Sequence, residues 1–496
     1  MICVSDFELD IILDIIKKYS SDCDVLAFGS RYKWTPKDHS DLDLAFVQKE
    51  GGKLGFNRIG DLKEAFSESD LPYRVDVLDY NAISPEFRAI IDRGNEVIYR
   101  KSAMQNVWRK VRLGDVCTKI TSGGTPKSSN PDYYGGHIPW LRTQEIDFSN
   151  IEQTELYITE DGFNNSSAKW IPANAVIIAM YGATAGKSAI SKIPLTTNQA
   201  CCNLIVDDSK ADYRYVFYYL KLEYVKLAGL ANGGAQQNLN AKIISDFEIS
   251  LPDLKIQRNI ADTLSALDDK IINTEATNYR LEQMAQAVYT QMFPFEYGSK
   301  MPISNMIDVR DGTHDSPKAV EHGFPLVTSK HLLPYGVDLI TPNHISKVDF
   351  DKINERSQVD RRDILISMIG TIGLISLVIE RDINFAIKNV GLFKTSQNEE
   401  WVYFVLCFLR SSEAKNHIDM RLAGSTQKYI SLGELRQLPV SVPASDKLKV
   451  FNDFVCPIFE EIIRRTEEST NLATIRDTLL PRLMSGELSV TNVMIK

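Results

Sequence analysis

Cysteine is scarce and scattered: Cys3, Cys23, Cys117, Cys201, Cys202, Cys407 and Cys456 are the seven in the chain, with no Cys-x-x-Cys pair among them. An odd number without paired spacing argues against a disulfide framework or a zinc site and fits a reducing cytoplasm. Long apolar runs are missing too. No stretch of about 18 residues is continuously hydrophobic, and no basic segment leads into an apolar one near the start, which argues against a membrane span or a secretory leader. Positive charge is the third thing in short supply. The formal charge is −9, a poor match for a nucleic-acid binder, but it is unevenly placed. Residues 1–100 hold 13 Lys and Arg against 19 Asp and Glu, whereas the remaining 396 hold 43 against 46. The later part is close to neutral and can carry local basic faces, so charge neither supports nor excludes DNA.

At 496 residues the chain is too long for one core, and three or four folded units are expected. An internal repeat organises most of it. After residue 100 the same signals recur at an offset of about 190. Pro139-Trp-Leu-Arg-Thr-Gln-Glu-Ile answers to Pro325-Leu-Val-Thr-Ser-Lys-His-Leu, and Ala175-Val-Ile-Ile-Ala-Met-Tyr-Gly to Asp363-Ile-Leu-Ile-Ser-Met-Ile-Gly, which sets Gly182 against Gly370. Gly234-Ala-Gln-Gln lies against Gly424-Ser-Thr-Gln, and Leu251-Pro-Asp against Val442-Pro-Ala. Each repeat opens with short β-branched and aromatic runs broken by Gly, Pro, Asn and Asp, a pattern of short strands and tight turns. Each ends in a helical stretch. Ile260, Leu264, Leu267, Ile271, Thr274, Asn278, Leu281, Ala285, Val288 and Met292 alternate at four and three, the spacing of a coiled-coil seam, with a polar centre at Thr274 and Asn278. Phe451, Val455, Ile458, Ile462, Arg465, Ser469, Leu472, Arg476, Leu479 and Leu483 keep the same rhythm, with Pro457 expected to kink the start. Two such helices in one chain can cover each other's apolar seams; two ordinary core helices are the plainer alternative.

The combination of Trp108-Arg-Lys-Val-Arg-Leu-Gly-Asp, Ser122-Gly-Gly-Thr-Pro, Ile138-Pro-Trp, Gly182-Ala-Thr-Ala-Gly-Lys, Asn198-Gln-Ala and Leu251-Pro resembles the opening half of a Type I restriction–modification specificity subunit. Leu479-Leu-Pro-Arg-Leu-Met-Ser-Gly-Glu-Leu resembles that family's closing motif, so the likeness spans about residues 107–490. The resemblance implies two target-recognition domains held apart by antiparallel helices, each domain reading half of a split site on double-stranded DNA. It also implies partners: two methyltransferase subunits docked on the helices, and restriction subunits; no membrane is expected. Helix length would set the gap between half-sites, as dimer geometry does elsewhere.

Base edges are read chiefly by Arg, Lys, Asn and Gln, and phosphates by Lys, Arg, Ser, Thr and backbone N–H groups. Loop residues of these types cluster at matching points of the repeat: Thr125, Lys127, Arg142, Gln144, Lys187, Gln236, Gln237 and Asn238 in the first, and Thr313, His314, Lys318, Lys330, His331, Gln427 and Lys428 in the second. Solvated loop polarity is the bland reading of any one of them. Gly182 to Ser188 falls one residue short of a phosphate-binding G-x-x-x-x-G-K-[ST] loop, and the second repeat has no lysine there, so a shared turn is expected rather than ATP binding. Asn130-Pro-Asp-Tyr is expected to be a turn. Residues 107–496 offer no catalytic constellation and no cofactor is expected for them.

The first hundred residues read differently. Val25-Leu-Ala-Phe runs into Gly29-Ser30; ten residues later Asp41-Leu-Asp43 opens another apolar stretch, and Asp76 sits in the alternating Arg74-Val-Asp-Val-Leu. Carboxylates at i and i+2 on a strand face the same way and can share divalent cations, while a Gly-Ser turn frees N–H groups for phosphate. The third aspartate can complete the metal site and accept a hydroxyl proton. This arrangement, with Ile83-Ser-Pro-Glu-Phe-Arg after it, resembles the minimal nucleotidyltransferase domain; Tyr32-Lys33 departs from close relatives that carry a second arginine. The resemblance implies Asp41, Asp43 and Asp76 as catalytic and metal-binding residues, Gly29, Ser30 and Arg31 as nucleotide-binding ones, and Mg2+ with an NTP, ATP first, as cofactors of this part alone.

The expected fold class is α+β and multidomain: a small nucleotidyltransferase-like α/β head, then two mixed β-rich target-recognition domains separated by a pair of long antiparallel coiled-coil helices. The expected boundaries are 1–100 for the head, 107–253 and 299–444 for the recognition domains, and 254–294 and 445–490 for the helices. The expected function is DNA reading within a Type I complex, with nucleotidyl transfer by the head. A nucleotidyltransferase whose repeats only target it to a protein or nucleic acid, and a non-catalytic regulatory head, are the alternatives.

Overall fold

The computed structural model describes residues 2–32, 40–48, 52–99, 108–232, 238–295, 297–424 and 428–488. It divides into two compact units, Met1–Ala261 with Arg482–Lys496, and Asp262–Pro481. All seven cysteines are free thiols, and among the described residues no helix is long and apolar enough to cross a membrane.

The first unit opens with the helix Asp6–Ser20. Ser5 caps it by accepting from the Glu8 amide at 3.3 Å, while Glu8 takes the Ser5 amide at 2.7 Å, so two otherwise orphaned donors are satisfied reciprocally. Its Ile12 and Ile16 are buried against a sheet of β1 (Cys23–Phe28), β2 (Leu42–Gln48), β3 (Val75–Asp79) and β4 (Glu96–Tyr99), in the order β3-β2-β1-β4. β1 runs antiparallel to β2 and β4, whereas β2 and β3 are parallel, so the chain crosses between them through the helix Phe56–Ser67. Alternation in β3 buries Val75, Val77 and Asp79 and turns Asp76 and Leu78 to the more open side.

The first repeat follows in the same unit. Its main sheet orders Cys117–Ser122, Cys201–Val206, Val176–Ala179, Ser188–Ser191 and Asn150–Ile151. The second repeat, in the second unit, orders Val309–Asp311, Val390–Phe393, Ile364–Ser367 and Ile375–Leu377, with the same antiparallel neighbours. In each, the strand that carries the proline motif pairs in parallel with a later strand: Trp140 with Thr196, and Leu326 with Ala386. The duplication extends to backbone detail. Gly182 and Gly370 take φ of 80° and 81°, a region costly for residues with a Cβ. Gly123 and Gly312 lie so close to a neighbouring strand that a Cβ would stand 2.0 Å from the Thr197 carbonyl oxygen and 2.2 Å from that of Ile387.

The helices end both repeats: Leu254–Met292 and Ser445–Met484. The second runs on through Pro457 and Pro481 as one helix, so the kink expected at Pro457 does not interrupt it. Within the second unit the pair is antiparallel, because contacts that move forward along one helix move backward along the other. Asp268 meets Arg476 at 2.7 Å, Asn278 donates to Thr466 at 3.2 Å, and the Phe293 ring lies 5.4 Å from that of Phe451. Leu264, Leu267, Thr274 and Ala285 of the expected seam are buried, as are Phe451, Val455 and Ile462 of the other. The polar centre is therefore inside the pairing, where an unmet donor or acceptor is costly.

Arg476 and Asp268 are only 15% and 19% exposed. Replacing Arg476 by Met should cost about 2 kcal/mol, because it removes the cation beside a largely desolvated carboxylate. The double change Arg476→Met with Asp268→Leu should recover most of that loss in urea unfolding. A single change no worse than the double one would mean the pair contributes nothing.

Candidate functional site

In the head, β2 and β3 bring two of the three aspartates together: Asp43 stands directly opposite Asp76 in the parallel ladder, and Asp41 lies just ahead of β2. Phe28, at the end of β1, faces Asp43 on the other side, so the turn at Gly29 closes over that carboxylate. Gly29 has φ of 79°, and a Cβ there would stand 2.1 Å from Asp43 Oδ2; any side chain would cover the carboxylate. Partial burial, then the charges of Asp76 and Asp41, push the Asp43 carboxyl above its ordinary pKa. Like charges gathered in this way fit a divalent cation, which would relieve the repulsion. Asp76 meets Arg74 at 3.4 Å, but both side chains are well exposed, and such surface pairs hold little energy. Among the described residues no three His, Cys, Asp or Glu groups are close enough to hold an ion as they lie.

Ser30 is partly exposed in the short helix Gly29–Tyr32. Arg31 is buried, with a structural duty: Nε donates to the Ser40 carbonyl at 2.9 Å, Nη1 to that of Cys3 at 3.1 Å, and the guanidinium lies 3.5 Å over the Tyr73 ring. It fastens both the start of the chain and the segment before Asp41. Residue type could not signal this, because two of its partners are backbone carbonyls.

In the first repeat, loops far apart in sequence converge. Gly124 N donates to Thr197 O at 2.8 Å and Asn198 N to Leu141 O at 2.9 Å. Thr184 Oγ1 donates to Thr143 O at 2.8 Å, and Leu239 N to Met180 O at 3.2 Å. Thr125, Lys127, Arg142, Gln144, Lys187 and Asn238 are thereby carried on one set of adjoining loops. Lys127, Gln144 and Asn238 are exposed, and Thr125 is partly so. Lys187 pairs with Asp147 at 2.6 Å. Arg142 and Gln144 both donate to Glu155 Oε2, at 2.7 and 3.2 Å. Gln236 and Gln237 lie outside the described residues. The Gly182 turn uses its own amides, with Gly186 N on Ala179 O and Lys187 N on Thr184 O, and so is a turn rather than a phosphate cradle. Asn130 caps a short turn by accepting from the Asp132 amide.

The second repeat makes the matching convergence. Thr313 N donates to Ile387 O at 3.0 Å, Lys388 N to Val327 O at 2.9 Å, and Ile430 N to Met368 O at 3.0 Å. The His314 ring bridges Asn389 Oδ1 at 2.8 Å and Asp311 Oδ2 at 2.9 Å. His331 accepts from the Thr328 amide at 3.0 Å, and burial lowers its pKa. Lys318, Lys330 and Lys428 are exposed; Gln427 lies outside the described residues. Sequence reading missed Glu155, Asp311, Arg356 and Asn389. Arg356 holds Asp311 at 2.7 Å beside His314, and Arg356, His314 and Thr313 border one surface groove.

Residues 106–283 match the family model for the Type I restriction modification DNA specificity domain, and residues 11–104 the model for polymerase beta, nucleotidyltransferase. The chain is 26% identical over 416 residues to the Type I restriction enzyme MjaIX specificity subunit of Methanocaldococcus jannaschii, covering 77% of this chain and 94% of that one. Its N-terminal part is 49% identical over 94 residues to the probable protein adenylyltransferase MntA of Haemophilus influenzae, 19% of this chain and 81% of that one. The S subunit of a Type I system from M. genitalium aligns in structure over 76% of this chain and 96% of its own, at 17% identity and a TM-score of 0.47. Over most of its length the chain is thus similar to Type I restriction–modification specificity subunits, with the specificity domain itself at residues 106–283, and it carries a polymerase-beta-type nucleotidyltransferase domain at residues 11–104.

Proposed function

We propose that the two repeats each read one half of a bipartite site on double-stranded DNA, with the long helices setting the gap. In this reading two methyltransferase subunits dock on the helices and restriction subunits join them. The five-part division at 1–100, 107–253, 254–294, 299–444 and 445–490 belongs to the same proposal. The observation that carries it is the matched convergence of loops: Leu239 on Met180 and Ile430 on Met368 close the same edge of two duplicated folds. Two separate reading surfaces in one chain call for two half-sites. Arg142, Gln144, Lys187, Lys318, Lys330 and Lys428 supply charge and hydrogen-bonding groups on those surfaces, in keeping with contacts to phosphates and base edges.

For the head we propose nucleotidyl transfer from an NTP. Bound Mg2+ would neutralise the triphosphate, with Asp43 and Asp76 as its first ligands and Asp41 beside them. Gly29 keeps the Asp43 carboxylate uncovered, and the Gly29–Ser30 turn offers N–H groups and a hydroxyl to phosphate oxygens. Asp76 would accept a proton from an incoming hydroxyl. Arg31 contributes by holding the Cys3 and Ser40 segments, which fixes where Asp41 enters. The second reading, a transferase whose repeats serve only for targeting, gains support only from the head's acidic cluster.

Methylation mapping of host DNA with and without this chain should give one asymmetric motif of two short halves separated by a fixed gap. A continuous motif, or no change in methylation, would remove the main reading. With labelled ATP and Mg2+, the full chain should transfer label to itself or to a co-purified partner. The Asp41→Ala/Asp43→Ala double change should reduce that label at least about a hundredfold; label that survives would place the metal site elsewhere.

A further inference from the structure

We propose that the reading atom of the turn at residues 142–145 is a carboxylate oxygen of Glu155, an acceptor for the exocyclic amino group of a cytosine or adenine, and that Arg142 and Gln144 are its positioning residues. This rests on the DNA-reading function proposed above.

Three observations carry it. The first is convergence: Arg142 Nη2 and Gln144 Nε2 donate to the same oxygen, Oε2, at 2.7 and 3.2 Å. With two donors on Oε2, the other oxygen is the one available to a ligand. The second is exposure, which decides which partner faces outward. Glu155 is 60% exposed and Arg142 29%, so the carboxylate is the outer group and the guanidinium its support.

The third is preorganisation. Glu155 N donates to Glu145 Oε2 at 2.8 Å, while Glu145 Oε1 takes the Arg142 amide at 2.9 Å, so one side chain ties the two segments together. On the preceding residue, Thr154 Oγ1 accepts from Trp140 N at 3.2 Å and donates to Leu156 O at 2.7 Å. A group held from both sides gives up little freedom when it binds.

The duplication then separates frame from reader. The matching turn of the second repeat, Ser329–His331, is closed in the same way, with His331 Nδ1 accepting from the Thr328 amide at 3.0 Å. Its geometry is kept and its chemistry is not: Arg142 answers to Thr328, Gln144 to Lys330 and Glu145 to His331. A module copied to read two unequal half-sites must conserve the support and change what it presents. In the first copy the presented group is an acceptor; in the second, Lys330 presents donors. A lone carboxylate would be repelled by the phosphates, but the Arg142 partner makes this one part of a neutral pair. Acceptor carboxylates pair with the amino edge of cytosine in the major groove, which matches this donor-seeking group.

The test is methylation mapping in cells that express the full chain with its methyltransferase partners, comparing wild type, Glu155→Ala and Arg142→Gln. Both changes should relax the same single C or A position, in one half of the motif only, with discrimination there falling at least about tenfold. The other half should stay as in the wild type. An unchanged motif in Glu155→Ala overturns the assignment. So does loss of all methylation while the chain accumulates normally, since that would tie Glu155 to assembly. A wild-type map without a bipartite motif would instead overturn the function on which the inference depends.

Discussion

The antiparallel seam between the two long helices is the interaction on which the second unit depends. One apolar end is closed by Phe293, Tyr289 and Phe451, and the middle by polar contacts rather than by more leucine. Asn278 Nδ2 on Thr466 and Arg476 on Asp268 are cross-helix contacts made in one alignment of the helices, and sliding one helix by a turn would break both. Buried polar groups of this kind trade some stability for a single register. The same helices anchor the second repeat through Glu282, whose carboxylate takes Arg410 at 3.1 Å and the Tyr335 hydroxyl at 3.0 Å.

The two repeats show how one fold can be used twice with different surface chemistry. Strand order, parallel pairing, left-handed glycines and the close approaches at Gly123 and Gly312 are shared, because they are set by backbone sterics. The residues on the converging loops are not shared. In the first repeat acidic side chains pair with the candidate cations; in the second, Lys318, Lys330 and Lys428 stand exposed and His314 is held by Asp311 and Asn389. The head repeats this division on a smaller scale: Arg31 supports, and the Asp43–Asp76 pair bears the charge.

Much of the fold was legible in the sequence, for definite reasons. Ile260, Leu264, Leu267 and Thr274 could be read as a seam because burial on a helix imposes a period, and Gly182 against Gly370 marked a turn because few other residues accept that φ. Asp41 and Asp43 could be read together because alternate residues of a strand share a face, whereas the opposition of Asp43 and Asp76 depends on the parallel register of two strands. What escaped reading was partnership. Glu155 is 13 residues from Arg142 on an irregular segment, and Asp268 is 208 from Arg476, so neither spacing carries a pattern. The structural duty of Arg31 escaped reading too, because two of its partners are backbone carbonyls, which every residue has. Pro457 lies inside a continuous helix, since one missing N–H removes a single bond from a long ladder.

The most direct test of the account lengthens the paired helices together. Seven residues inserted after Asn273 and seven after Asn471, facing positions of the pair, keep the seam in phase and add about 10 Å of helix. Methylation mapping should then return the same two half-motifs with their gap widened by about three base pairs. An unchanged gap, with both half-motifs still methylated, would contradict the claim that the helix pair measures the distance between the reading surfaces.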